Sequence, residues 1–153
     1  MARCVSVSQL TYTYPGTTHP ALSKLSLEID CGEVVLMAGP SGSGKSTLAR
    51  ILGGLIPAFY GGAFTGAVEL GGQALTTWPR RALHQQVGMV FQDPEKQLVC
   101  GMVDRELAFG LENLGIAPVT IRERVADLMD DLPITHLMKR TTSTLSGGEQ
   151  QLV

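Results

Sequence analysis

Apolar and polar residues alternate along Val5 to Leu10 and again along Leu25 to Ile29, the two-residue period of a strand with one face in a core. A different pattern follows at Val34-Val35-Leu36-Met37-Ala38, where an unbroken apolar run predicts a strand buried on both faces. Glycines come directly after it. From Ser46 to Leu55 the apolar residues take helical spacing, until Gly53-Gly54 and Pro57 stop the run. Gly61, Gly62, Gly66, Gly71 and Gly72 then frame a short strand at Ala67 to Leu70, which predicts a turn-rich β lobe. A short helix from Arg80 leads to strand-like Val87 to Phe91. Beyond Gln92 the pattern is helical, near Val103 to Leu114, Val119 to Leu132 and Ile134 to Met138, with Pro118 and Pro133 as breaks. The expected class is α/β, one domain spanning residues 1–153, with a β-rich lobe and loop-bearing core over about 1–92 and helices over about 93–153.

Composition changes this picture little. The 153 residues are 44% hydrophobic and 17% charged, which argues for a packed core and against disorder. A formal charge of −2 gives no electrostatic case for nucleic acid as a partner. Cys4, Cys31 and Cys100 are odd in number and far apart, so neither a disulfide framework nor a metal knuckle is expected, and a reducing cytosol is the natural compartment. Residues 1–8 lack the apolar block of a signal peptide, no run approaches membrane-spanning length, and a soluble chain is expected. His19, His84 and His136 lack metal-site spacing and are expected in loops or at the surface.

Candidate chemistry concentrates in Gly39-Pro40-Ser41-Gly42-Ser43-Gly44-Lys45-Ser46-Thr47, a GxxxxGK[ST] loop set between a predicted strand and a predicted helix. Gly39 and Gly44 let the backbone curl until its N–H groups face a phosphate, and the helix dipole adds positive potential. Lys45 reaches outer phosphates, the Ser46 hydroxyl suits a Mg²⁺ ligand position, and Thr47 steadies an inner phosphate. A nucleotide with magnesium is the ligand this loop fits.

A second glycine motif, Leu145-Ser146-Gly147-Gly148-Glu149-Gln150, stands at the mouth of another predicted helix. With two such loops the sequence resembles the ATP-binding cassette family of P-loop NTPases, ATPases in which a signature of this kind closes over the nucleotide on a partner's phosphate loop. The resemblance implies ATP and Mg²⁺ as cofactors and a second ATPase subunit as partner. Ser146, Gly147, Gly148 and Gln150 would act in trans. It makes Gln92, in Val90-Phe91-Gln92-Asp93-Pro94, a glutamine that touches Mg²⁺ or the attacking water and senses a membrane partner. It makes Tyr14, in Thr13-Tyr14-Pro15-Gly16, the aromatic that stacks on adenine, with Tyr12 as a competing candidate and ordinary edge-strand packing open for both.

Phe91 to Leu98 and Asp104 to Gly115 are similar to the ATPase component of energy-coupling factor importers of vitamins and metal ions such as cobalt or nickel. That resemblance implies a transmembrane coupling subunit, a membrane subunit that captures the solute, and a peripheral place on the cytoplasmic face of the membrane. Leu107, Leu111 and Leu114 fall on one face of the helix concerned. The sequence departs from the family at its end: Gln151-Leu152-Val153 closes the chain before the acidic strand, catalytic glutamate and switch histidine, and Leu152 stands where a basic residue is common. The expectation is therefore a piece of a longer subunit, truncated after the signature, with an exposed sheet edge and poor solubility. It would bind nucleotide weakly without turning it over, Lys45 neutralising phosphate charge and Gln92 lacking the glutamate with which it would position the attacking water. A nonenzymatic nucleotide-binding remnant fits the missing half, and a small-molecule kinase leaves Leu145 to Gln150 unexplained.

Overall fold

The computed structural model describes residues 3–93 and 97–153, so Pro94, Glu95 and Lys96, part of the similarity after Gln92, lie outside the described residues. The chain divides into two compact units, residues 1–89 and 90–153.

In the first unit β1 (Arg3–Thr13), β2 (Leu22–Asp30), β3 (Ala63–Leu70) and β4 (Gln73–Ala74) form an antiparallel sheet in the order β2-β1-β3-β4. Val7 pairs with Leu27 on one side and Val68 on the other. The alternation that predicted β1 holds only to Val7, because the register slips between Val7 and Leu10 and Gln9 takes a positive φ of 47°. This bulge turns Val7, Leu10 and Tyr12 all into the core despite their uneven spacing. Gly66 lies opposite the bulge at φ +90°, where a Cβ would come within 2.5 Å of the Gln9 carbonyl oxygen.

The helix α1 (Lys45–Leu52) lays Leu48 and Ile51 on this sheet, and α2 (Arg80–Gln86) adds Leu83, closing a core with Ile56, Leu70 and Leu75. Each such aliphatic burial is worth roughly 2 kcal/mol. Gly53 ends α1, its N–H bonded to the Ala49 carbonyl at 2.9 Å.

Two predicted strands do not form. Val34 to Ala38 has no ladder partner among the described residues, and Val34 and Leu36 are 97% and 90% exposed. Val87 to Phe91 is likewise unpaired there, with Val90 at the surface. A strand buried on both faces exists only where neighbours satisfy its N–H and C=O groups and cover its side chains. Val34 to Ala38 meets neither condition among the described residues, and Val87 to Phe91 packs only Val87 against the core without a ladder partner.

Cys4 and Cys31 correct another expectation, for they form a disulfide. The antiparallel pairing of Arg3 with Asp30 and Val5 with Ile29 brings these residues side by side, with Cα atoms 4.8 Å apart. Cys100 is free, and burial together with the carboxylate of Glu106 raises its pKa, so its thiol is held in the unreactive form.

The second unit packs α3 (Val103–Asn113) and α4 (Pro118–Asp131) around Val103, Ile134, Leu137 and Leu145, and α5 (Gly147–Leu152) follows with no buried residue of its own. Pro118 starts α4 at a position where no N–H is needed. Leu107, Leu111 and Leu114 are each half-buried, as a shared face requires. The helix expected from Ile134 to Met138 is only a single 3₁₀ turn, Thr135–Leu137, pinned by the fully buried Ile134 and Leu137. Five residues after a proline are too few to propagate a helix. Ahead of α3, the Glu106 carboxylate accepts the N–H groups of Val99 at 2.9 Å and Cys100 at 2.5 Å. Thr142 ties the approach to α5 back to the same segment, donating its hydroxyl to the Cys100 carbonyl at 2.7 Å.

Candidate nucleotide-binding loops

The loop from Gly39 to Gly44 curls over its own lysine. Lys45 Nζ donates to the carbonyls of Gly39 and Pro40, both at 2.8 Å, and approaches Ser43 Oγ at 3.3 Å. The ammonium is thus drawn back across the loop it serves, its charge on the concave side of Pro40 to Ser43. Gly42 and Gly44 adopt φ +80° and +92°, where side-chain-bearing residues are strained. Gly44 has a second reason to be glycine: a Cβ there would come within 2.6 Å of both the Ala21 carbonyl oxygen and Leu22 Cδ2. The loop is seated against the start of β2. Ser41 and Ser46 are exposed, and Ser46, in the first turn of α1, presents its hydroxyl where a hard cation can take it as a ligand.

Thr47, the next residue, is 6% exposed, its Oγ1 lying 3.2 Å from Tyr14 Oη. Arg50 Nη1 donates to the same tyrosine oxygen at 3.2 Å, and this hydrogen bond is the main reason its guanidinium pKa is raised. The Tyr14 ring meets Tyr12 edge-on at 4.8 Å and Tyr60 at 6.2 Å, and the Arg50 guanidinium lies 5.1 Å from the Tyr60 ring centre. Tyr12 is wholly buried on an interior strand and donates to the Gly61 carbonyl at 2.9 Å. Burial, with Tyr14 beside it, raises its phenol pKa. Tyr12 is therefore removed as a stacking candidate, and neither tyrosine sits on an edge strand. Tyr14, just past β1, is only half-buried.

In the second unit Ser146 caps α5 by a reciprocal pair of bonds. Its Oγ accepts the Glu149 N–H at 3.3 Å, and the Glu149 carboxylate accepts the Ser146 N–H at 2.6 Å. Arg140 closes the assembly, its Nη1 at 2.9 Å from Glu149 Oε1 and its Nη2 donating to the Thr144 carbonyl at 2.5 Å. The bonds from Ser146, then the charge of Arg140, hold the Glu149 carboxyl below its usual pKa. Gly147 and Gly148 are exposed, and a Cβ on either would meet nothing within 4 Å. Gln150 is half-buried and lines a cavity of about 350 Å³ with Leu98, Thr142 and Ser143.

Residues 22–153 match the family model described as ABC transporter. The chain belongs to the ABC transporter family. It is 42% identical over 149 residues to a Streptomyces coelicolor protein named as an ABC transporter ATP-binding protein, covering 97% of this chain and 26% of that one. A Methanosarcina acetivorans protein with the same description is 47% identical over 147 residues, covering 96% of this chain and 24% of its own length. A Bacillus subtilis relative, named as an HMP/thiamine import ATP-binding protein, is 41% identical over 150 residues, covering 97% of this chain and 27% of the relative. This ABC chain thus spans about a quarter of the length of these curated relatives. Among solved structures it superposes on CbiO1 of Clostridium perfringens, described as part of the ABC transporter complex cbiONQ. The TM-score is 0.81 at 29% identity, over 99% of this chain and 59% of that one. The ABC ATPase fold expected from the sequence is shown by this match.

Within the ABC fold, the first unit brings Tyr14 and Gly39 to Thr47 together, while Gln92 and Ser146 to Gln150 belong to the second. Gln92 lies in an exposed bend, next to a Phe91 N–H that donates to Gln97 Oε1 at 2.6 Å. His19, His84 and His136 are all exposed, His84 on α2 rather than in a loop, and no group of three or more metal-ligating side chains occurs among the described residues. Arg50, Arg140 and Glu149 were not singled out from the sequence. Ser146-x-x-Glu149 was a legible signal, since that spacing is a capping box. The arginines carry no local signature, because their partners come from Tyr14 and from Thr144 and Glu149.

Proposed function

We propose that this chain is the nucleotide-binding portion of an ABC transporter ATPase subunit, holding MgATP on the loop from Gly39 to Thr47. The observation that carries this is the seat of Lys45: its ammonium bonds two loop carbonyls at 2.8 Å, beside exposed backbone that can turn N–H groups to a phosphate. An incoming phosphate chain offers that ammonium a charged acceptor in place of two neutral ones. The Ser46 hydroxyl and the Gln92 amide oxygen are the neutral oxygen donors that would hold Mg²⁺. The ion, when bound, spreads the phosphate charge and fixes the orientation of the outer oxygens.

Two subunits would enclose the nucleotide, the signature of one facing the phosphate loop of the other. Ser146 supports this role because its oxygen already accepts the Glu149 N–H, and its single proton can turn toward an approaching phosphate oxygen. Gly147, Gly148 and Gln150 complete the facing surface. Tyr14 would stack on the adenine. Closure on ATP and reopening after hydrolysis would pass a rigid-body movement through the segment after Gln92 to a transmembrane coupling subunit, with a separate membrane subunit capturing the solute. The proposed solute is a vitamin or metal ion, and the name of the Bacillus relative, an HMP/thiamine import ATP-binding protein, favours a vitamin. No helix among the described residues is long and apolar enough to cross a membrane, and the proposed place is peripheral, on the cytoplasmic face.

The test is equilibrium binding of MgATP to purified chain 1–153, with phosphate release followed in parallel. Binding that weakens at least tenfold in Lys45→Ala, without steady turnover by either form, is the expected result. No binding by the parent chain refutes the nucleotide site, and steady hydrolysis abolished by Lys45→Ala refutes the division of labour with residues outside this chain.

A further inference from the structure

Tyr14 has two separable parts. Its ring is the part that would stack on a base, and its hydroxyl is bonded to Thr47 Oγ1 and Arg50 Nη1, each at 3.2 Å. Stacking uses only the ring, so it gives no reason for a hydroxyl held this way.

A guanidinium can only donate, so the Arg50 bond occupies one lone pair of Tyr14 Oη and leaves that oxygen its proton. Either oxygen of the Tyr14–Thr47 pair can be the donor. With Tyr14 donating, Thr47 keeps its own proton for a different acceptor. Thr47 is buried in the first turn of α1, two residues past Lys45. Arg50 is one turn further along the same helix and is fixed against Tyr60, while Tyr12 and Tyr60 both hold the Tyr14 ring edge-on. Arg50 and Tyr14 are thus each constrained from a second side.

We propose that Arg50 and the Tyr14 hydroxyl are positioning residues that set the Thr47 hydroxyl as a hydrogen-bond donor to the inner phosphate. Tyr14 then serves the phosphate loop as well as the base. This rests on the nucleotide-binding reading above and adds to it two groups that never touch the ligand with the atoms concerned. It also separates tyrosine from phenylalanine at position 14, two residues that stacking alone treats alike.

Inorganic tripolyphosphate tests the idea, because it has phosphates and no base. Affinities of magnesium tripolyphosphate and MgATP are measured for chain 1–153 at a temperature where circular dichroism shows every variant folded. Tyr14→Phe is expected to weaken both ligands by the same factor, about fivefold, the loss of one oriented hydrogen bond. Arg50→Met should give a similar loss, and the double variant should be no worse than the worse single, since both act on one donor. A merely structural role would lower the melting temperature and leave tripolyphosphate affinity unchanged; that result, or losses that multiply in the double variant, overturns the proposal. Parent chain that binds neither ligand removes the nucleotide site itself, whereas parent binding with an unaffected Tyr14→Phe removes only the proton relay.

Discussion

The two glycine loops of this chain use glycine for opposite reasons. In the phosphate loop Gly42 and Gly44 stand at positive φ, and Gly44 is wedged against Ala21 and Leu22. There the backbone itself demands the residue. In the signature Gly147 and Gly148 have ordinary helical backbone and empty space where a side chain would go. What holds that second loop is side chains, Ser146, Glu149 and Arg140, and its glycines leave clearance for something to approach. One loop is shaped from within, and the other is bare on its outer side, as the proposed contact with a second subunit requires. A glycine-rich motif therefore says little about mechanism until it is known which of these applies.

Substitutions can break or sharpen this contrast. Gly44→Ala should have the largest effect, since it combines left-handed strain with an overlap against backbone. A loss of about 3 kcal/mol in urea unfolding and of MgATP binding is expected. Near-normal stability would mean that β2 does not seat the loop. The side-chain lock of the signature should respond instead to pH. Because the Glu149 carboxyl is held below its ordinary value of 4.5, its bonds are present above that value and lost as pH falls through the lower folded-state value. The Ser146 amide resonance should therefore titrate with a midpoint below 4.5, and the midpoint should rise toward the ordinary value in Arg140→Met. A midpoint unmoved by that substitution would take Arg140 out of the lock. Gly148→Ala should do least to the chain alone, raising stability by about 0.5 kcal/mol through helix propensity. A fall in the unfolding midpoint would show that this glycine has a backbone duty after all.

Much of this organisation could be read along the chain, and the failures share one cause. The phosphate loop, α1 and the capping box are local: the residues that make them lie within about one or two helical turns of each other, so spacing identifies them. Val34 to Ala38 and Val87 to Phe91 have the apolar content of buried strands, but a strand is a relation between segments, and content does not supply the neighbour. The Cys4–Cys31 bond was hidden in the same way, because a sequence separation of 27 conceals a contact that the pairing of β1 with β2 makes obvious. Tyr12 and Tyr14 show the finer limit. Two residues apart and chemically identical, they differ in that one is sealed in the core and the other lies at a strand end against Thr47 and Arg50. The bulge at Gln9, which fixes the phase of β1 just upstream, has no signature in the residue type itself.

The contact between Gly44 and residues 21 and 22 also bears on how lesions in this chain would be sorted by a geneticist. Ala21 donates its N–H to the Tyr12 carbonyl at 2.8 Å and turns its own carbonyl toward the loop, so it is held between β1 and the phosphates' seat. Alleles at position 21 and at position 44 would share one phenotype although 22 residues separate them. Intragenic suppressors of a mild lesion at one belong at the other, and a mutational map ordered by sequence would split a single locus in two.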